Sequence, residues 1–334
     1  MPTDTTAAPI GPAEARASTW NAALGLRGAL QPVELGLVLL TIAVGLLCVV
    51  LSFLQSQAVA WGAFLISFAP SLGLVLLGAY LRHGKDMPRA AMAAIAAGIY
   101  IGFSGVITIL IYLRFPFDMP LFDAPLMRFD AWMFGYDWAN FTTWLAQYPG
   151  LGKAVGWIYG TSLLQLFVVI FVLGFHGRAR DLSRLMITGV LSLLMAVAIW
   201  WAWPSFGPSA HVVLPHDVEL ALNLVHGEAA GARMLQMAAF GNTVISPDII
   251  MGTIAFPSYH TVMACMAVVF TFGTLAFWPM VLLNIGMLPA ILAHGGHHLT
   301  DMIGGFMAFA LAYRIATWLA DRAERDGGKE SHGC

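Results

Sequence analysis

Charge is what this sequence has least of. Only 10% of its 334 residues are Asp, Glu, Lys or Arg, whereas a soluble domain carries about 25%. The net charge of -2 offers no basic surface to a nucleic-acid partner. Cysteine is also scarce, and the scattered Cys48, Cys265 and Cys334 form neither a disulfide framework nor a zinc-ligand spacing. These shortages argue against a soluble domain, a nucleic-acid-binding protein and a disulfide-stapled scaffold.

Apolar residues fill the space that charge leaves, at 59% of the chain. They recur in stretches of about 20 residues, the length that crosses a bilayer as a helix. The expected spans are 33–54, 58–81, 90–113, 153–174, 183–203, 258–277, 279–294 and 301–321. The sequence therefore predicts an all-α integral membrane protein with about eight transmembrane helices.

Basic residues set the expected orientation of these spans. They cluster after the second, fourth and eighth spans as Arg82, Lys85 and Arg89, then Arg178, Arg180 and Arg184, then Arg322, Arg325 and Lys329. With eight spans and a cytoplasmic N-terminus, all three clusters face the cytoplasm, as the positive-inside rule requires. We therefore predict a multi-pass protein of the cell membrane with both termini in the cytoplasm. The composition of the two ends predicts a mobile tail at 1–32, without a cleaved signal peptide, and a polar tail at 322–334.

Two polar patches stand at the edges of apolar runs, Pro-Ser-Tyr-His at residues 257–260 and His-His-Leu-Thr-Asp at 297–301. Ionisable groups at membrane depth are costly, so they usually mark a working site. In the predicted orientation both patches lie at the same extracytoplasmic edge. Because distant arginines fixed that orientation, the coincidence is independent support for one shared site.

The second patch has the spacing of an oriented imidazole. His297 and Asp301 are four residues apart and share one face of a helix, where the carboxylate can hold one ring nitrogen and leave the other as a nucleophile or base. Gly296 permits backbone to come close to a ligand. The alternative is that Asp301 only caps the last span and that the histidines are interfacial.

The first patch has the features of an anion site at the start of a helix. Pro257 and Ser258 suit a helix start, whose N–H groups attract a phosphate, and His260 falls in the first turn. Ser258 could equally be only a cap. Together the patches could hold a phosphate between His297 as nucleophile and His260 as proton donor to the leaving oxygen.

Cations that could neutralise such a phosphate are few on the outer side. The candidates are Arg233, Arg128, Arg114 and Lys153, and each could instead anchor a lipid headgroup. Two long outer segments, 114–152 and 204–257, separate the spans. In the first, Phe134, Trp138, Phe141, Leu145 and Tyr148 form one apolar helical stripe, which predicts an interfacial helix. Gly152, Gly156 and Gly160 predict close packing of the fourth span.

Both patches carry a family resemblance. Phe-Pro-Ser-Tyr-His-Thr at 256–261 resembles the second signature of the type 2 phosphatidic acid phosphatase superfamily, a Pro-Ser-x-His element. Residues 295–301, followed by Gly304 and Gly305, resemble its third signature, which ends in His-x-x-x-Asp. The segments 130–135 and 204–208 are similar to the branch of inositolphosphotransferases such as inositol phosphorylceramide synthase. The resemblance covers about residues 114–320.

The resemblance implies a six-helix core and a phospho-histidine mechanism without metal or other cofactor. It assigns His297 as nucleophile, Asp301 as its orienting partner, His260 as general acid and Ser258 as a phosphate ligand. We accordingly expect an additional transmembrane hairpin at 33–89 and a catalytic membrane core at 90–321. The chain departs from the usual pattern because Ala290 and Ile291 replace the Ser-Arg pair of the third signature, and the basic first signature is missing from the outer side.

The leading hypothesis is an enzyme that moves a phosphate-bearing headgroup from a phospholipid or lipid-linked phosphate to an alcohol acceptor. Plain hydrolysis of a phosphomonoester or pyrophosphate, with water as acceptor, needs the same residues. A metal-dependent hydrolase is a further alternative, because His260, His294, His297, His298 and Asp301 are possible ligands. A transporter is disfavoured, because the spans carry almost no charge at mid-bilayer.

Overall fold

The apolar runs form helices in the computed structural model of the protein, which describes residues 29–331. Within this range thirteen α-helices follow one another: α1 (Pro32–Leu54), α2 (Trp61–His83), α3 (Pro88–Tyr112), α4 (Asp123–Phe134), α5 (Trp138–Ala146), α6 (Pro149–Gly160), α7 (Ser162–Phe175), α8 (Ala179–Ala202), α9 (His216–Leu222), α10 (Glu228–Phe240), α11 (Tyr259–Thr271), α12 (Phe277–His294) and α13 (Leu299–Ser331). Strands β1 (Ala58–Val59) and β2 (Val244–Ile245) pair in parallel. The predicted all-α class is confirmed.

The structure describes little of the predicted N-terminal tail and most of the predicted C-terminal tail. Residues 1–28 of the N-terminal tail lie outside the described residues, and α1 already begins at Pro32. At the other end, α13 continues to Ser331, so the first part of the predicted polar tail is helical.

Six helices are long and apolar enough to cross a membrane: α1, α2, α3, α8, α12 and α13. A seventh candidate is the pair α6–α7, which bends by 50° at Thr161. The eighth predicted span corresponds to α11, whose 13 residues reach only about 20 Å, short of the roughly 30 Å hydrocarbon core. The structure thus supports six or seven spans by length and composition rather than eight.

Helix α11 is the centre of the bundle, since it contacts α7, α8, α12 and α13. Helix α3 packs on α7 and α8 from one side. The hairpin of α1 and α2 rests against α3, and only 22% and 11% of their span windows are buried, compared with 67% for α3. The first two helices are therefore peripheral to the bundle.

The predicted glycine packing holds at two of three positions on α6. A side chain at Gly152 would meet Leu222 at 2.4 Å, and one at Gly156 would meet the ring of His294 at 2.6 Å. Gly160 has no such neighbour within 4 Å. The absence of a Cβ therefore matters where α6 meets α9 and α12.

The predicted continuous helix in the first outer segment is wrong. Gly135 adopts a left-handed conformation (φ 60°) that ends α4, and the Asp137 side chain accepts a hydrogen bond from Asn140 N at 2.8 Å to start α5. The apolar stripe is divided as a result. Trp138 and Leu145 are buried, whereas Phe134 remains 42% exposed.

The two outer segments meet each other at one end of the bundle. Phe122 N donates to Pro204 O at 2.7 Å, and Phe117 N donates to Ala238 O at 2.8 Å. Basic residues lie at the opposite end, where Arg178 donates to the carbonyl of Phe272 just after α11 and Arg180 pairs with Asp321 near the end of α13. The N-terminal ends of α11 and α13 consequently face the outer segments.

Candidate active site

Ser258 begins α11 as its N-cap. Its Oγ accepts a hydrogen bond from Thr261 N at 3.3 Å, and the residue is fully buried. His260 follows in the first turn, as predicted. Its ring stacks on Tyr159 of α6 with centroids 4.5 Å apart, so an aromatic side chain that the sequence analysis did not single out holds this imidazole in place.

Asp301 orients His297 at the start of α13. Nδ1 of His297 lies 3.0 Å from Asp301 Oδ2, and both side chains are almost completely buried. The same carboxylate oxygen accepts a hydrogen bond from His298 N at 2.8 Å. Because the ionised carboxylate only accepts, this bond assigns the proton to Nδ1 and leaves the lone pair on Nε2 of His297. Asp301 thus does more than cap a helix.

The two patches lie together, as the shared-site hypothesis requires. Ser258 N donates to the carbonyl of Asp301 at 2.9 Å, and the rings of His260 and His297 have centroids 5.9 Å apart. Gly305 permits this approach, because a Cβ there would lie 2.4 Å from the carbonyl oxygen of Ser258. The geometry brings the three predicted catalytic side chains to one place, and their roles stay predictions.

A small cavity lies between the histidines. Its volume of about 20 Å³ holds roughly one water molecule. It is lined by Tyr159, Phe206, His226, His260, Gly295, His297 and the stretch 252–255. Among the described residues, no lysine or arginine lines it.

The sequence analysis missed His226, which stands in the loop between α9 and α10. Burial, together with the neighbouring His297, lowers the pKa of His226 to about 4. No local spacing links residue 226 to either patch, so only the folded chain reveals that three imidazoles share one cavity.

Two of the predicted phosphate ligands, Gly296 and Arg233, lie in different surroundings. Gly296 adopts φ 60°, and a Cβ there would lie 2.1 Å from Ser209 Oγ, so this position accepts only glycine without rearrangement. Arg233 is exposed on α10 and donates to the carbonyl of Ile249 at 3.4 Å, away from the cavity lining. Both stay predictions as phosphate ligands, and for Arg233 a bound phosphate would have to draw the side chain inward.

A second buried carboxylate, Asp123, lies beside the site and was also missed. It accepts hydrogen bonds from the N–H groups of Phe206 and Gly207, and it pairs with His298 Nε2 at 3.1 Å and His211 Nε2 at 2.9 Å. Burial alone would raise the pKa of Asp123, but the two histidines outweigh it and lower that pKa. Conversely, burial opposes charge on His298, yet Asp301, Asp123 and Asp130 raise its pKa.

Asp130 connects α4 to the start of α13. Its carboxylate accepts from Leu299 N at 2.6 Å and from Thr300 N at 3.0 Å, and it also bonds the Thr300 hydroxyl. Unpaired N–H groups and the positive end of the helix dipole favour an acid at this position. The acid that caps α13 therefore comes from a helix 169 residues earlier. The sequence analysis quoted Asp130 only within the resemblance.

Two of the candidate metal ligands, His294 and His298, form hydrogen bonds with different parts of the protein. His294 Nε2 donates to the carbonyl of Gly152 at 3.0 Å, and His298 pairs with Asp123. Within residues 29–331 no three His, Cys, Asp or Glu side chains are grouped closely enough to hold a metal ion.

Fold and site together define an integral membrane protein with an enclosed histidine–aspartate site. Residues 124–315, more than half of the chain, match the PAP2 superfamily, and the chain therefore belongs to this superfamily. Its members are lipid phosphate phosphatases or phosphotransferases. The match confirms the resemblance for the superfamily and identifies no branch. No curated protein and no solved structure matches the chain.

Proposed function

We propose that the protein transfers a phosphate-bearing headgroup from a phospholipid or lipid-linked phosphate to an alcohol acceptor through a phospho-histidine at His297. The observation that carries this proposal is the pairing of His297 with Asp301, opposite the ring of His260 at 5.9 Å between centroids. A nucleophile, its orienting acid and a facing proton carrier are the groups that a two-step phosphoryl transfer needs.

In the first step, Nε2 of His297 attacks the phosphorus. A phosphorus–nitrogen bond forms while the bond from phosphorus to the leaving oxygen breaks, and protonated His260 gives its proton to that oxygen. Burial, together with the neighbouring His297 and His226, lowers the pKa of His260 to about 3, so its ring is neutral before substrate binds. The bound phosphate is an anion, and its charge raises that pKa and brings the proton that His260 then passes to the leaving oxygen. Asp301 stabilises the positive charge that develops on His297.

In the second step, an acceptor hydroxyl enters where the first alcohol left. Neutral His260 takes the hydroxyl proton, a new phosphorus–oxygen bond forms, and the bond to His297 breaks. The cavity, with Tyr159 and Phe206 in its lining, has room for about one small group, such as the acceptor hydroxyl. We propose an alcohol as the acceptor because residues 130–135 and 204–208 resemble the inositolphosphotransferase branch.

The proposed site faces the extracytoplasmic side. His260 and His297 lie at the ends of α11 and α13 that are opposite to the basic clusters around Arg178 and Arg180. The positive-inside rule assigns those clusters to the cytoplasm. A membrane-impermeant reagent for cysteines introduced near Trp132, an exposed outer residue, tests this orientation in intact cells.

Purified protein supplied with labelled phospholipids and lipid-linked phosphates, with and without inositol or ceramide, tests the function. We expect a new labelled lipid that depends on the alcohol and disappears in His297→Ala. A matched control is His216→Ala, which changes an exposed histidine at the start of α9. Release of free phosphate regardless of alcohol would support the hydrolytic alternative. Activity retained in His297→Ala would overturn the mechanism.

A further inference from the structure

The proposed mechanism leaves one imidazole of the cavity without a task. His226 lines the same space as His260 and His297 but comes from a third element, the loop between α9 and α10. Its main-chain N–H donates to the carbonyl of His294 at 3.1 Å, which fixes the loop at this point. The ring meets Tyr159 edge-on, with centroids 6.4 Å apart. Tyr159 therefore contacts the rings of two of the three histidines, His260 and His226.

The space beside His226 is kept narrow on its other side. A Cβ at Gly252 would lie 3.5 Å from both Cε1 and Nε2 of His226. This edge of the ring therefore faces the stretch 252–255, which also lines the cavity. Within the described residues the ring makes no hydrogen bond, so its polar atoms are available to a ligand.

The charge of a transferring phosphoryl group has to be stabilised by donors aimed at its oxygens. In many sites lysine or arginine does this, but among the described residues neither lines this cavity. His297 is committed to attack and His260 to the leaving oxygen. His226 is the remaining side chain in the lining with a strong nitrogen donor.

The protonation state of His226 suits a donor. Burial and the nearby His297 lower its pKa to about 4, so the ring is neutral at pH 7. A neutral imidazole carries one N–H and one lone pair. It can therefore donate one hydrogen bond to a phosphoryl oxygen.

We propose that His226 is a third catalytic side chain, whose ring N–H donates to a non-bridging oxygen of the phosphoryl group as it passes to and from His297. This inference rests on the proposed phospho-histidine function and adds a residue to it. The contact stabilises charge and moves no proton, so the bonds made and broken are those given above.

Three substitutions at position 226 test the contact. His226→Ala removes the donor and should lower kcat about 100-fold, the low end for losing one oxyanion donor. An amide nitrogen lies near the position of Nδ1 in His226→Asn and near that of Nε2 in His226→Gln. We expect kcat of one of these two variants to be at least about tenfold higher than that of His226→Ala, because an amide can donate the same hydrogen bond. The proposal would be overturned if neither His226→Asn nor His226→Gln were more active than His226→Ala. Full activity of His226→Ala would also overturn it.

Orthovanadate gives a second readout that needs no known substrate. It resembles a transferring phosphoryl group, and a donor that acts on that group should bind it. We expect weaker vanadate binding, by about tenfold, in His226→Ala and unchanged binding in His216→Ala. Unchanged vanadate affinity in both variants would contradict a direct contact, whatever happens to turnover. Thermal denaturation of each purified variant shows whether it is folded. If His226→Ala does not fold, the vanadate affinities of His226→Asn and His226→Gln, compared with each other and with wild type, test the contact instead.

Failure of this inference differs from failure of the proposed function. If wild-type protein binds vanadate and His297→Ala is inactive while His226→Ala resembles wild type, only the role of His226 is overturned. If wild-type protein does not bind vanadate and His297→Ala retains turnover, the phospho-histidine function falls, and the role of His226 with it.

Discussion

Two adjacent histidines at the start of α13 each pair with a buried carboxylate, yet their surroundings differ. His297 bonds Asp301 through Nδ1 at 3.0 Å, which turns Nε2 away from the acid. His298 bonds Asp123 through Nε2 at 3.1 Å, and its ring lines a separate cavity of about 250 Å³ that also contacts Asp130 and Tyr136. The same residue types one position apart therefore face two different spaces.

The two carboxylates also differ in how completely they are used. Asp123 accepts from two main-chain N–H groups and two imidazoles, so it joins α4, the 206–211 stretch and the start of α13. Asp301 has a buried Oδ1 with no hydrogen-bond partner. A fully satisfied network specifies structure, whereas an incompletely satisfied buried acid beside a nucleophile is common at working sites. The comparison agrees with the proposed chemical role of the pair at His297 and leads us to predict a structural role for the pair at His298.

The largest expected contrast is between His297→Ala and His298→Ala. Removing the proposed nucleophile should lower kcat by at least about 10⁴-fold, because the covalent intermediate at His297 can no longer form. His298→Ala should lower kcat less than about tenfold per folded molecule while reducing thermal stability. Turnover and melting of both purified variants, measured side by side, test the division. Comparable losses of kcat in the two variants would contradict the division of roles between His297 and His298.

The carboxylates give the next contrast. Asp301→Asn offers an amide to His297 and should favour the wrong tautomer, with a loss of about 10³- to 10⁴-fold in kcat. Asp123→Asn replaces one acceptor oxygen with an NH2 group, so some of the buried donors around it lose their acceptor, and the change should cost about 3 kcal/mol of stability. We expect it to retain most of its activity at a temperature where it stays folded. Kinetic and denaturation measurements on the same preparations separate the two effects, and an Asp123→Asn protein that is stable but inactive would contradict the assignment.

His260 sharpens the same comparison from the other side of the cavity. His260→Ala removes the proton donor to the leaving oxygen and should slow turnover by about 10²- to 10⁴-fold. A substrate whose leaving group needs no proton should recover much of the rate in this variant. The same substrate should not rescue His297→Ala, which serves as the control. If the better leaving group changes neither variant, His260 has another task.

Sequence predicts the pairing of His297 with Asp301 because the two residues are local. His297 and Asp301 are separated by one helical turn, and His260 belongs to a compact helix-start motif. The apolar runs likewise predict the long helices, although α11 is shorter than its run because the helix ends at Thr271. Local spacing and composition suffice wherever the structure is made within one element.

The supporting residues escape prediction because their partners are distant in sequence. Asp123 and His298 are 175 residues apart, and Asp130 reaches Leu299 over 169. His226 and Tyr159 join the cavity only when α6 and the α9–α10 loop fold over α11. Nothing in local periodicity signals such a meeting, although isolated acids and histidines in an apolar chain are reasonable places to look.

The smallest expected effect is a pH dependence of stability at the pair of His298 with Asp123. The pKa of His298 is raised above its usual 6.5, chiefly because nearby carboxylates overcome the penalty of burial. Its stabilising charge is therefore fully present below about pH 6.5 and is lost as pH rises through the folded pKa. The pKa of Asp123 is lowered from 3.8, so its contribution persists down to acidic pH. The melting temperature of the wild-type protein should accordingly fall as pH rises above about 6.5. The slope should flatten in His298→Asn and stay unchanged in His216→Ala. A slope in His298→Asn identical to that of the wild type would show that His298 does not govern the response.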